Sequence, residues 1–470
     1  MFKLSEQEIA LDSAPTLVVG AGWAGLAAAL ALTRQGHHVI LLEAAPQAGG
    51  RARGIPFGSY TVDNGQHLFM GAYTETLTLL KWLNIPEDAV FDRKPFEWFM
   101  LNRQDTQKPI HLTAPSRVSL LKGLLSFWKT QGFSLKERLS AIAFYRTIYH
   151  KNFHLSQDIS VNELLLRFKQ PISLIEKLWG PIALAALSTP IHQASAQVFV
   201  KILRDIFNKN IKRSNTESPS DWLFPKVDLG ALLPNPIIKY IKEKGGSIFY
   251  HQRIQGLIIE NGECKGVKTA TRTFFSKRII LATPPHVSAN LLLSNSESTG
   301  CCKKLITHLL KFHYQPITTI YLRYPQPINL IKPMIGFINS TLQWMFDRRF
   351  AGQPDVLSIV ITGSGPHTLL SHAELVAKLQ QEFRSICTNL QVLPTLHTAP
   401  IDYRVVTEKR AAFSCDVGIN DYRPRASTPL ANLWLAGDYT EPCYPATLEG
   451  AIRSGIKAAQ LILSKDALFV

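Results

Sequence analysis

Six cysteines in 470 residues are too few and too scattered to staple a fold. Cys301 and Cys302 are adjacent and no C-x-x-C occurs, so neither a zinc ribbon nor a dithiol site is indicated, and no metal is expected. That usage fits a reducing compartment. Acidic residues are also short: 35 Asp+Glu stand against 51 Lys+Arg, a formal net charge of +16. Such an excess serves nucleic acid, acidic substrates or anionic lipid. No compact basic block with interleaved aromatics occurs, which makes nucleic acid the weakest of the three. Charged residues reach only 18% against 46% hydrophobic, which excludes a disordered chain. A membrane-spanning run is missing too: Leu17 to Leu32 is short and carries glycine, and Trp179 to Pro190 is shorter still. Glu6, Glu8 and Asp12 stand where a secretory signal needs positive charge. The expectation is a cytoplasmic protein of two or three domains with a large core, free or peripheral on the inner face of the cytoplasmic membrane.

What is present is concentrated between Thr16 and Arg53. The short apolar run Thr16 to Val19 ends in Gly20-Ala21-Gly22-Trp23-Ala24-Gly25, and an Ala/Leu-rich stretch follows to Arg34. This reads as a buried parallel strand, a tight turn and a helix. Gly20 permits the turn, Gly22 lets backbone approach a pyrophosphate, and Gly25 lets the helix sit close on the strand. The helix N-terminus at Trp23 and Ala24 then offers N–H groups and a positive dipole end to phosphates. Gly36 breaks the helix, a second strand runs to Leu42, and Glu43 falls where a ribose-binding acid is expected. An acid there favours a free 2′-hydroxyl, and the fingerprint by itself leaves FAD and NAD open.

Gly49-Gly50-Arg51-Ala52-Arg53 follows, and Gly-Gly-Arg at this place resembles the flavoprotein family of amine oxidases, protoporphyrinogen oxidases and carotenoid desaturases. The resemblance implies FAD, with Gly49, Gly50 and Arg51 around its diphosphate. A guanidinium suits that task because its planar fork meets phosphate oxygens in pairs. The string Asp63-Asn64-Gly65-Gln66-His67-Leu68-Phe69-Met70-Gly71-Ala72-Tyr73 resembles a region of plant-type phytoene desaturases. It is more similar to the squalene-associated flavoproteins, the hydroxysqualene dehydroxylases. Near the other end, Asn432 to Thr440 is a strand ending in Gly437-Asp438, and Pro445 to Gly455 opens a last helix. These resemble the family's closing flavin motif. That implies Asp438 on the ribityl hydroxyls, Thr447 and Leu448 at the flavin's pyrimidine edge, and Gly450 clearing space for the ring. By the same resemblance the backbone at Ile254 faces the adenine.

The fold class expected is α/β, a Rossmann-type FAD-binding domain with an inserted α+β substrate domain. The FAD domain is assigned residues 14–110, 222–290 and 423–470, the substrate-binding and membrane-facing domain 111–221 and 291–422, and residues 1–13 an N-terminal extension. Lys81 to Asn102 reads as mixed and strand-like. Asp228 caps a helix running to Lys244, and Ser247 to Ile254 is a strand. Ser119 to His150 reads as two amphipathic helices, either packed on a core or resting on a membrane surface through Leu, Phe127 and Trp128 beside Lys and Arg. Gly363-Ser364-Gly365 lacks a third glycine, meets Pro366, and reads as a turn.

The resemblance implies an oxidoreductase of squalene and hopanoid biosynthesis that removes the hydroxyl of hydroxysqualene with hydride from reduced flavin. Its partners are a polyprenoid small molecule and an external reductant. The acid assisting the departing hydroxide is sought among His67, Asp63 and Tyr444; Cys443 is a weaker candidate as a covalent flavin anchor. The alternatives are a carotenoid-type desaturase, an amine oxidase, and a flavin-bearing membrane-surface adaptor without turnover.

Overall fold

The computed structural model describes residues 15–103, 105–114, 128, 130–206, 218–388, 398–441 and 444–466. Two sheets organise them. The first has five strands, all parallel, in the order Ser247–Phe249, Val39–Leu42, Thr16–Val19, Ile279–Leu281 and Leu433–Leu435. Its strands are apolar on both faces, as a sheet covered on both sides requires. Leu17 and Val19 face one core, while Val18 faces the other with the helix Trp23–Arg34. That helix is buried from Trp23 through Thr33, so it carries no amphipathic stripe and sits wholly inside the domain.

The last helix, Leu448–Asp466, packs along it and also meets Thr74–Trp82. Glu449 makes the second contact specific. Its fully buried carboxylate accepts from Glu75 N at 2.9 Å, Thr76 N at 3.0 Å and Thr76 Oγ1 at 2.7 Å. It thereby satisfies orphan N–H groups at the start of Thr74–Trp82, and Arg453 Nε neutralises it at 2.8 Å. A buried carboxylate without that partner would cost several kcal/mol, on the order of 3–5.

The second sheet has seven strands, in the order Asp402–Phe413, Tyr314–Arg323, Val356–Thr362, Trp344–Asp347, Met334–Ile338, Phe96–Asn102 and Asp105–Ala114. All pairs are antiparallel except Met334–Ile338 with Phe96–Asn102. The domain edge expected at residue 110 therefore falls inside a strand of this sheet, which the chain enters at Phe96. The alternation of these strands divides two cores. Ile320, Met345, Ile359 and Ile361 meet the helix His372–Thr388 on one face. Trp344, Phe346 and Val360 turn to the other face, toward the parallel sheet.

Three local expectations change. Lys81 closes a helix, Thr74–Trp82, and a second short helix, Glu87–Val90, precedes the strands. Asp228 does cap, through Gly230 N at 2.9 Å, but Leu233–Pro234 splits the run into Leu229–Leu232 and Pro234–Glu243. Proline supplies no N–H to carry the first helix onward. The strand after it ends at Phe249, short of Ile254. Of Ser119 to His150, residues 119–127 and 129 lie outside the described residues; the remainder includes a helix, Leu135–His150, whose Ser134–Glu137 capping box is formed. No helix among the described residues is long and apolar enough to cross a membrane.

Candidate active site

One cavity of about 1200 Å³ lies between the two sheets. At one end it touches Gly20, Gly22, Trp23 and Ala24, with Glu43, Gly49, Gly50 and Arg51 beside them. Ile254 lines it too, as do Gly437, Asp438, Thr447 and Leu448 from the far end of the chain. Nearly every residue expected around a cofactor is thus brought to one wall. Gly25 and Gly450 are the exceptions, and for Gly25 the reason is packing: a Cβ there would stand 1.9 Å from the Gly20 carbonyl oxygen. A Cβ on Gly22, by contrast, meets nothing within 4 Å. Its space is open where the helix N-terminus, capped by no side chain, faces the cavity.

The polar groups on this wall are held in place. Glu43 accepts from Ala21 N and Ala45 N, both at 2.7 Å, so the acid braces the glycine turn while lining the cavity. Arg51 Nη2 lies 3.0 and 2.9 Å from the two Asp438 oxygens, and its Nη1 donates to the Ala411 carbonyl at 2.9 Å. Burial opposes the Arg51 charge, but Asp438 more than offsets it, and the guanidinium pKa is raised. Thr447 Oγ1 accepts from Gly450 N at 3.0 Å and so caps the last helix. Gly450 makes room for backbone, not for a ring: a Cβ would meet the Pro445 oxygen at 2.8 Å. An uncapped helix N-terminus beside open space, a guanidinium and a carboxylate match the diphosphate and hydroxyl chain of FAD.

The three candidate acids separate. His67 lines the cavity with Nδ1 2.6 Å from the Gly65 carbonyl. A carbonyl only accepts, so Nδ1 carries the proton and Nε2 is left as an acceptor. Burial lowers the His67 pKa, and Arg51 lowers it further against the pull of the Gly65 bond. A neutral imidazole with that tautomer takes protons rather than giving them. Asp63 does not line the cavity at all. It is 2% exposed, its Oδ1 accepts from Leu229 N at 2.7 Å, and its carbonyl accepts from Tyr321 Oη at 2.8 Å. Burial pushes its carboxyl up to about 7, against the charge of Arg348 and the Leu229 bond. Tyr444 does face the cavity and is 6% exposed. Burial first, then Tyr73 and Glu449, hold its phenol well above its ordinary pKa, and Arg453 lies 4.4 Å over its ring. Cys443 lies outside the described residues.

Several cavity residues had no sequence signal. Trp98, Trp344, Phe346 and Met334 form apolar walls from the seven-stranded sheet, and Ala141, Ile142 and Tyr145 come from the helix Leu135–His150. The alternation in Trp344-Met345-Phe346 marked a two-faced strand, but not that one face lined a chamber. Arg348, 2% exposed, was also missed; it donates to Gln66 Oε1 and to Gln353 Oε1 and so anchors the loop that carries His67.

A parallel sheet with a glycine turn at a helix N-terminus, opening into an apolar chamber built on a second sheet, defines a dinucleotide-binding redox fold. The comparisons agree. The model of the flavin containing amine oxidoreductases matches residues 23–463. Hydroxysqualene dehydroxylase of Zymomonas mobilis is 26% identical over 467 residues, covering 96% of this chain and 99% of that protein. Zeta-carotene desaturase of Zea mays is 22% identical, covering 95% of this chain and 82% of that one. Among solved structures, cyclohexylamine oxidase from Brevibacterium oxydans superposes with a TM-score of 0.67 at 15% identity, over 97% of this chain and 99% of that one. A putrescine oxidase redesigned in its cofactor binding gives 0.70 at 15%, over 96% and 99%. The chain belongs to the flavin containing amine oxidoreductase family. It is an FAD-dependent oxidoreductase.

Two measurements test the site. Gly22→Val should fold, since φ is −72° and the added atoms enter open space, yet purify without flavin absorbance. Full flavin occupancy in that variant would overturn the phosphate cradle. Asp63 has its folded pKa raised from 3.8 to about 7, so the folded state holds the proton more tightly. Its favourable contribution is complete below about pH 4 and lost as pH rises through 7. Asp63→Asn keeps an acceptor for Leu229, and should gain on the wild type between pH 5 and 8, by up to about 4 kcal/mol in urea unfolding.

Proposed function

We propose that this enzyme reduces hydroxysqualene to squalene, replacing an allylic hydroxyl by hydrogen. The observation that carries the reading is the apolar chamber lined by Trp98, Trp344, Phe346 and Leu178, into which the buried phenol of Tyr444 faces. A polyprenoid needs such walls along its length, and an alcohol needs a donor at one point. The similarity to a hydroxysqualene dehydroxylase along nearly the whole of both chains supports the same substrate.

FAD, when bound and reduced, supplies a hydride. The residues of the chain do the rest. Hydroxide is a poor leaving group, and in an apolar chamber it would also be left unsolvated. Atoms balance if the carbon–oxygen bond breaks with its electron pair on oxygen and the oxygen takes the Tyr444 proton to leave as water. Burial makes that phenol a weaker acid than usual. Hydroxide is a far stronger base than a phenolate, so protonating the departing oxygen favours the phenol as donor. Arg453, 4.4 Å over the ring, offsets the phenolate charge. His67, with Nε2 an acceptor, is withdrawn as the acid and suits orientation of a donor on the substrate.

Access fits a lipid surface. Ala141, Ile142 and Tyr145 of the helix Leu135–His150 line the cavity, whereas Leu135 and Leu139 on the same helix are 58% and 52% exposed beside Lys136. The core packing weighed for these two leucines does not occur. Apolar side chains beside basic ones suit an anionic membrane interface.

Under anaerobic conditions hydroxysqualene should yield squalene only when a reductant is supplied. Squalene formed equally without reductant, or dehydrogenation of a saturated polyprenoid by the oxidised enzyme, would replace this reading with a carotenoid-type desaturation. Leu135→Asp with Leu139→Asp should lower binding to anionic vesicles by about a hundredfold or more, at roughly 1.5–3 kcal/mol per leucine withdrawn from lipid. Vesicle binding equal to wild type would remove this helix from the membrane face.

A further inference from the structure

Tyr73, Tyr145, Tyr439 and Tyr444 all line the cavity, and Tyr73 has no assigned part. Tyr73 ends the Asp63–Tyr73 string and lines the same chamber as Tyr444. Among the described residues neither hydroxyl has a hydrogen-bond partner, although Tyr444 is 6% exposed and Tyr73 only partly so. Both hydroxyl oxygens open on the chamber instead of being sealed in the core, and two unmatched phenols there mark a place where a ligand oxygen belongs. The surroundings hold them there. Phe69 meets the Tyr73 ring edge-on at 5.9 Å between centroids. Arg453 lies over Tyr444, and the Arg453–Glu449 pair at 2.8 Å stands close enough to act electrostatically on both phenols. The Tyr444 backbone is fixed independently, its carbonyl accepting from Arg423 Nη1 at 2.6 Å.

We infer that Tyr73 and Tyr444 form a paired-donor subsite that receives the hydroxyl oxygen of an allylic polyprenoid alcohol and sets the preference for alcohol over hydrocarbon. The inference rests on the reductive reading above. Two phenol O–H groups can engage the two lone pairs of one alcohol oxygen, and both bonds strengthen as negative charge gathers on that oxygen. Burial, followed by Glu449, raises the Tyr73 pKa, and both phenols stay protonated at neutral pH as donors. Asp205, which also lines the chamber and acts on Tyr444, is held by Arg204 at 2.9 Å and does not occupy the donors. A hydrocarbon leaves both donors unpaired, and a site built for a hydroxyl rejects the analogue that lacks it.

The test separates binding from turnover. Oxidised, FAD-loaded enzyme is titrated with hydroxysqualene and with squalene, without reductant. Wild type should bind the alcohol about tenfold or more tighter, as expected for two added hydrogen bonds. Tyr73→Phe and Tyr444→Phe should each reduce that ratio, and the double variant should bring it to about one while squalene affinity and flavin content hold. In unaltered enzyme the alcohol should also shift the tyrosine ultraviolet absorbance where squalene does not. A preference that survives in the double variant, or no tyrosine shift with the alcohol, overturns the subsite even if reductive turnover is observed. A phenol-dependent preference in an enzyme that makes no squalene with reductant upholds the subsite and removes the dehydroxylation reading.

Discussion

The buried contact of Glu449 with the start of Thr74–Trp82 is the constraint on which the site depends. Its carboxylate holds Glu75 N and Thr76 N, and Arg453 holds it in turn. Through that contact the last helix is fixed against residues that directly follow Tyr73, while its body packs along Trp23–Arg34. The two ends of the chain therefore meet at one cavity wall. Gly22 and Arg51 come from one end, Asp438 and Thr447 from the other. An ion pair with one partner fully buried is weak evidence for stability by itself, because desolvation consumes much of its attraction. Its consequence is register: this placement of the helix satisfies both charges.

Charge is distributed unequally between the halves of the cavity. The cofactor wall carries Glu43, Arg51 and Asp438, each engaged with backbone or with one another. The chamber beyond is largely apolar, walled by the sheet strands and the helix Leu135–His150, with the phenols of Tyr73 and Tyr444 among its hydroxyls. This division suits flavin redox chemistry: fixed dipoles and charges would hold the charged cofactor beside a largely apolar chamber. Behind the wall Arg348 braces Gln66, so the His67 loop is pinned from the core side as well.

The sequence alone determined the cofactor half. Strand, glycine turn, helix and acid are local in the chain, and each is dictated by backbone geometry or by a phosphate's needs within about thirty residues. Hence Gly20, Gly22, Arg51, Gly437, Asp438 and Thr447 all line the one cavity. Tertiary structure decided the roles of the ionisable groups. Asp63, His67 and Tyr444 are equally polar letters in a string, yet burial against Leu229, a bond to the Gly65 carbonyl and a seat under Arg453 give them three different protonation habits. It also decided that the strands carrying Trp98 and Trp344, far apart in sequence, share one sheet face and that this face lines a chamber. Strand periodicity reports that a face is buried; what it is buried against is set by the other sheet, and that information is nowhere local.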